Sequence, residues 1–226
     1  MFDTLAPLRT YLESHLRLRS HPGETRRPVV TISRQRGAEG AVIARRVASL
    51  LTERSGGRQS WLVMDEALAE RVVQDHALPK RIEQFLAEEH VSTIADVIEE
   101  LANLHPSRWT LVEKMAETIL HMAELGHVIF VGRAANIVTA SCPDAFHVRI
   151  IGSLEKRVAR LVEEEGMTEK EARAQIAKKD RDRDRFAWHY FHVRAQDPLQ
   201  YDLLINTDRV SIEAAAGLIA QLAEKK

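Results

Sequence analysis

The sequence predicts an α/β protein, a mostly parallel five-stranded sheet with helices on both faces and a long helical insertion. Three observations carry that reading. Five short apolar, β-rich runs occur at 28–33, 60–64, 127–131, 145–151 and 201–205, and long helical patterns separate them. Such alternation is the mark of parallel strands joined by helical crossovers. The chain has 226 residues, 45% of them apolar and 29% charged, enough for one such domain with a buried core. The first run feeds a glycine-bearing turn that opens an amphipathic helix, the unit from which open α/β sheets are built.

Taken in order, residues 3–19 read as a short amphipathic helix, with Leu5, Leu8, Leu12 and Leu16 spaced by 3, 4 and 4. Ser20-His21-Pro22-Gly23 breaks it, so residues 1–27 are expected to be an appendage to a domain over 28–226. The first strand is Val29-Val30-Thr31-Ile32-Ser33, and the helix after its turn runs from Ala41 through Ala48. Residues 66–125 hold no convincing strand. Leu78 to Leu104 reads as two helices, the second capped by Ser92 or Thr93, and a longer one runs from Ser107 to near Gly126. The continuous apolar run His127-Val128-Ile129-Phe130-Val131 fits a central strand buried on both faces. Ser153 to Glu165 is a helix stopped by Gly166, and Thr168-Glu169-Lys170-Glu171 is a capping box that starts the next. A last helix begins at Ser211.

Composition excludes some functions. A net charge of −1 supplies no global field toward nucleic acid or an anionic membrane, so any basic site must be local. The single cysteine, Cys142, rules out an intrachain disulfide and suggests a reducing compartment such as the cytoplasm. No apolar run approaches membrane-spanning length, and the N-terminal segment lacks a signal-like apolar core. Residues 1–20 are expected either to make a homodimer contact or to pack on their own core.

The turn Arg34-Gln35-Arg36-Gly37-Ala38-Glu39-Gly40 and Ala41 have the layout of a phosphate-binding loop. Backbone N–H groups and the helix dipole there favour an anion. Loops that hold nucleoside triphosphates usually add a Lys and a Ser/Thr. Here those positions fall at about Gly40 and Val42, so a plain strand-to-helix turn stays open as the other reading.

Three further segments follow in order. Val131-Gly132-Arg133-Ala134-Ala135-Asn136 is a strand end with an arginine. The run Lys178-Lys179-Asp180-Arg181-Asp182-Arg183-Asp184-Arg185 is followed by aromatics, and Tyr201-Asp202-Leu203-Leu204-Ile205-Asn206-Thr207 is a late strand with a polar turn. With Thr31-Ile32-Ser33-Arg34-Gln35, this set resembles the cytidylate kinase-like family, a divergent branch of the P-loop nucleoside monophosphate kinases. The resemblance spans residue 28 to the C-terminus. It implies a P-loop kinase-like core, a helical region over 66–125 that grips the monophosphate, and a lid over 165–200 that closes on ATP. It also implies phosphoryl transfer from ATP, with Mg²⁺, to a nucleoside monophosphate such as CMP or dCMP.

The same resemblance implies residue roles. Arg34 to Ala41 would meet nucleotide phosphate, although the basic residue usual in the family at Ala41 is missing and Glu39 adds negative charge. Arg133 would contact the acceptor phosphate, for which a forked guanidinium is well suited. Asn136 is an acceptor contact or a local turn residue. Asp65, ending the second strand, is an acceptor contact or a helix N-cap. Asp182, Arg185 and Trp188 match the family's lid spacing. Arg181 and Arg185 are one turn apart on a shared face and would clamp the transferring phosphoryl, with Arg183 expected in solvent. Arg157 and Arg160 are candidates with an ordinary surface role as the alternative, and Asn206-Thr207 either shapes a base-binding edge or is a simple turn. His121, His127 and Cys142 read as structural, and Trp61, Trp109 and Trp188 as core or hinge anchors. A regulatory nucleotide-binding protein and a kinase for another small acceptor are the rival functions; the metal ligands are unknown.

Overall fold

The computed structural model describes residues 27–65 and 108–225. The helices expected over 3–19 and 78–104 lie outside the described residues. The strands are β1 (Val29–Arg34), β2 (Leu62–Met64), β3 (Val128–Val131), β4 (Ala145–Ile151) and β5 (Leu203–Asn206). They form one parallel sheet in the order β2-β3-β1-β4-β5. The helices are α1 (Gly40–Arg54), α2 (Arg108–Leu125), α3 (Ala135–Val138), α4 (Leu154–Glu165), α5 (Glu169–Phe191) and α6 (Ile212–Ala223). The boundaries expected for the first and fourth strands hold to within one residue. The last strand begins two residues later than expected. Tyr201 and Asp202 are held outside it, and the Asp202 carboxylate instead accepts the His147 N–H at 2.7 Å. No helix among the described residues is long and apolar enough to cross a membrane.

Strand alternation sorts the core onto two faces. Val30, Ile32, Ile129, Val131, Val148, Ile150 and Ile205 pack under α1 and α6. Val29, Leu62, Val128, Phe130 and Ala145 face α2 and α3. On that second face β1 and β4 turn polar toward their C-terminal ends. Thr31 Oγ1 bonds His147 Nδ1 at 2.9 Å, and Ser33 stands in register with Arg149.

The helix ends follow the expected chemistry. Ser153 caps α4 and Ser211 caps α6 through their hydroxyls, and the Thr168–Glu171 capping box on α5 is complete. Gly126, at φ +76°, ends α2 in a conformation that glycine adopts without strain. Trp61 is a core anchor as expected. Trp188 is not: it is 53% exposed, with Arg194 over its ring and His192 at its edge.

Candidate functional site

The strand order makes β1 the point where connections diverge, with β3 on one side and β4 on the other. In open α/β sheets the ligand crevice opens at the C-terminal ends of the strands at such a point. A cavity of about 220 Å³ lies there, lined by Ser33 and Arg34 from β1 and by Gly132, Arg133, Ala134, Asn136 and Ile137 after β3. Helix α5 closes it with Lys179, Asp182, Arg183, Phe186 and Ala187. Four basic side chains and one carboxylate therefore surround a space with one aromatic wall. The volume is below the ~300–1,000 Å³ usual for small-molecule sites, so in this conformation it suits one compact ligand.

Arg34 enters the cavity because two glycines give way to it. A Cβ on Gly40 would lie 2.7 Å from Arg34 Cβ, and a Cβ on Gly132 would overlap Arg34 Nη1. The turn after β3 is strained, with Gly132, Arg133 and Ala134 at φ +81°, +58° and +56°. Non-glycine residues hold such angles only where surrounding structure imposes them, often at functional sites. The bend carries Arg133, exposed, and Asn136, buried, to the cavity wall. Asp65 follows β2 at the same sheet edge but is not part of the lining.

The loop from Gln35 to Gly40 is held from outside by arginines. Arg157 of α4 donates to the Arg36 carbonyl at 3.1 Å, and Arg160 to the Gly37 carbonyl at 3.2 Å and to Thr207. Neither is a surface arginine. Gln35 Oε1 accepts the Gly152 N–H, which ties the loop to the turn after β4. With two carbonyls drawn outward, the amides of Gly37, Glu39, Gly40 and Ala41 make no hydrogen bond among the described residues. No side chain caps α1, at whose N-terminus they lie. Glu39, left-handed at φ 63°, pairs with Arg160 at 3.8 Å and lies against Glu164 on the α4 side, outside the cavity lining. Burial, and then the Glu39 charge, push the Glu164 carboxyl up.

Helix α5 is latched onto this loop. The Asp180 carboxylate accepts the Arg36 N–H at 2.8 Å and Arg157 Nη1 at 2.7 Å, with Arg183 Nη1 at 3.3 Å. Arg36 reaches across through Nε to Gln175 and through Nη2 to both carboxylate oxygens of Glu165. Arg183 also donates to the Arg34 carbonyl at 3.4 Å. Contrary to expectation, Arg183 is therefore turned inward. Arg181 and Arg185 are exposed and absent from the cavity lining. The reason is geometric. Residues advance ~100° around a helix, so positions 179, 182, 183 and 186 share a face and 181 and 185 fall on the opposite one. The spacing Asp–x–x–Arg–x–x–aromatic occurs twice in this run, two residues apart. The copy held inward is Asp180-Arg183-Phe186; of Asp182-Arg185-Trp188 only Asp182 reaches the cavity lining, while Arg185 and Trp188 are exposed. The signal that separates them is apolar: Ile176 and Ala187, buried on α5, fix which side faces inward.

The other titratable candidates add little here. Burial pushes the Cys142 thiol up. No group of three or more His, Cys, Asp or Glu that would hold a metal occurs among the described residues. Asn206 and Thr207 do end β5 at the ligand edge, where Thr207 is buried and bonded to Arg160.

The fold has a counterpart among solved structures. The crystal structure of an uncharacterized protein from Eubacterium ventriosum superposes with a TM-score of 0.64 at 20% identity, covering 89% of this chain and 100% of the other. Shikimate kinase from Acinetobacter baumannii, in complex with shikimate, gives a TM-score of 0.44 at 12% identity over 89% and 95%. A uronate isomerase from Corynebacterium glutamicum is 29% identical over 98 residues, which are 43% of this chain and 19% of that protein. This chain thus spans about a fifth of the curated relative it matches. Residues 29–209, from the first strand through the turn after the last, match the cytidylate kinase-like family, and the chain belongs to that family.

Proposed function

We propose that this chain transfers the terminal phosphoryl group of ATP to a nucleoside monophosphate, with CMP or dCMP as acceptor. The observation that carries the reading is the basic cavity at the ends of β1 and β3, beside a loop whose amides are open to an anion. The acceptor phosphate would rest among Arg34, Arg133 and Arg183, with Phe186 beside the nucleoside and Asn136 as a polar contact. The donor phosphates would take the amides of Gly37 to Ala41. Phosphoryl transfer asks chiefly for positioning and charge stabilisation, and guanidinium groups supply both without a covalent intermediate. The open amides at the N-terminus of α1 fit ATP phosphates. No cluster of three or more His, Cys, Asp or Glu occurs among the described residues. The ion would therefore come with the nucleotide phosphates, as Mg²⁺ commonly does. The lone cysteine suits a reducing compartment, and we take the cytoplasm as the place of action.

A second reading has two observations in its favour. The loop lacks a lysine, and the Asp180 carboxylate already occupies the Arg36 amide and Arg157. A protein that binds nucleotide for regulation and does not turn it over would tolerate both. ATP turnover measured with a panel of monophosphates decides between them. We expect release of ADP that depends on CMP or dCMP. Nucleotide binding with no turnover on any acceptor would favour the regulatory reading, and turnover with a different small acceptor would refute the assigned substrate.

A further inference from the structure

Arg149 has no part in the site described so far, yet it is the most anomalous charge in the sheet. It sits in the middle of β4's C-terminal half and is only 7% exposed. Its Nη1 donates to Ser33 Oγ at 3.0 Å and lies 3.3 Å from Tyr201 Oη, and its guanidinium carbon is 5.5 Å from the Tyr201 ring centroid. No carboxylate pairs with it among the described residues. A buried charge without a counter-charge is costly, and an apolar residue would serve a purely structural position better. Strand alternation explains how it reaches this place. Thr31 and Ser33 of β1, with His147 and Arg149 of β4, form a polar column that climbs the sheet face to the cavity, where Ser33 is part of the lining.

Counting protons gives the column a direction. Tyr201 Oη lies 2.7 Å from the Ala195 carbonyl, which can only accept, so the tyrosine proton goes there. Ser33 Oγ accepts from Arg149 and still has one proton to give. Its alternative taker, Tyr201 Oη, is 3.2 Å away and already faces Arg149. An oxyanion in the cavity would take that proton in a shorter, charge-assisted bond. The guanidinium behind the hydroxyl also makes Ser33 a poor magnesium ligand, because it repels a cation.

Resting on the kinase reading above, we infer that the cavity floor is an anion subsite. Ser33 Oγ–H donates directly to an oxyanion of the acceptor, and Arg149 is the positioning residue that orients the hydroxyl and supplies the field. The subsite deepens the substrate assignment: the acceptor brings a phosphate or carboxylate oxygen to the end of β1, and a neutral acceptor is excluded.

The test is calorimetric titration with CMP and, separately, inorganic phosphate, against the full chain and its Arg149→Met, Arg149→Lys and Ser33→Ala variants, with melting curves alongside. Arg149→Met and Ser33→Ala are expected to weaken both probes by tenfold or more, with Arg149→Lys in between. Arg149→Met should melt no lower than wild type, because it removes an uncompensated buried charge. A merely structural arginine predicts the reverse, a lowered melting temperature with unchanged affinity, and that result overturns the inference. Phosphate binding that depends on Arg149 without any CMP binding keeps the anion subsite and refutes the nucleotide reading. CMP binding equal in wild type and Arg149→Met overturns the subsite alone, and a wild type that binds neither probe overturns both.

Discussion

Arg183 and Arg185 differ by two positions and by half a turn of helix, and that difference sets what each side chain can do. Arg183 touches the Arg34 carbonyl and borders the cavity, whereas Arg185 is exposed on the far side of α5. Arg183→Ala should therefore lower kcat/KM for the monophosphate by about 10²–10³-fold, the cost of removing one preorganised charged donor. Arg185→Ala should stay within about threefold, with steady-state kinetics on both variants as the check. The opposite ranking would mean that α5 rotates on its axis when nucleotide binds. From the sequence alone the run Asp180-Arg181-Asp182-Arg183-Asp184-Arg185 is ambiguous, because its charge repeats every two residues and a helix does not. Arg149 was missed for a related reason. A polar residue in a strand reads as the solvent side of an alternating pattern, and only the register with Ser33 shows it buried.

At the scale of elements, the loop after β1 is braced by α4 from outside and latched by α5 from above. The latch has a stability cost that can be measured. Asp180→Ala leaves the Arg157 guanidinium, 8% exposed, without its carboxylate, and Asp180 itself is 25% exposed. Removing one partner of such a partly buried pair should cost about 1–3 kcal/mol. Chemical denaturation checks the value. Hydrogen exchange should show the Arg36 amide losing protection, and an unchanged Arg36 amide would mean that the latch does not form in solution. The brace responds to pH in the opposite sense to a paired acid. The Glu164 carboxyl is raised above its ordinary 4.5 by burial and by Glu39. The folded state therefore holds that proton more tightly than the unfolded chain, and the group costs stability as pH rises from 4.5 through its raised value. Glu164→Gln should be more stable than wild type at pH 7, and the gap should close as the pH falls below 4.5. Melting curves across that range test it; a gap that widens in acid contradicts the assignment. The starts of α4, α5 and α6 and the end of α2 were legible in sequence, since Ser153, Thr168, Ser211 and Gly126 carry their cap chemistry on their faces. The latch was not, because Asp180 and Arg36 are 144 residues apart and nothing local links them.

For the molecule as a whole, the parallel sheet, its five strands and the family were readable from the spacing of apolar runs and from four short motifs in order. The loop's surroundings were not, because the α4 and α5 side chains that hold it lie far along the chain. Arg157 and Arg160 on α4 hold the loop carbonyls outward, and Arg34 and Arg183 bring charge to its inner side. The central claim is that this assembly binds a nucleotide phosphate without an ammonium group in the loop. Calorimetric titration of the full chain with magnesium ATP tests it most directly. The account predicts saturable binding of one ATP per chain, weakened at least tenfold by Gly37→Ala, since a Cβ there would lie 2.9 Å from the Arg157 carbonyl oxygen and the residue sits at φ +76°. Titrations that show no saturable binding, or binding untouched by that substitution, would contradict it.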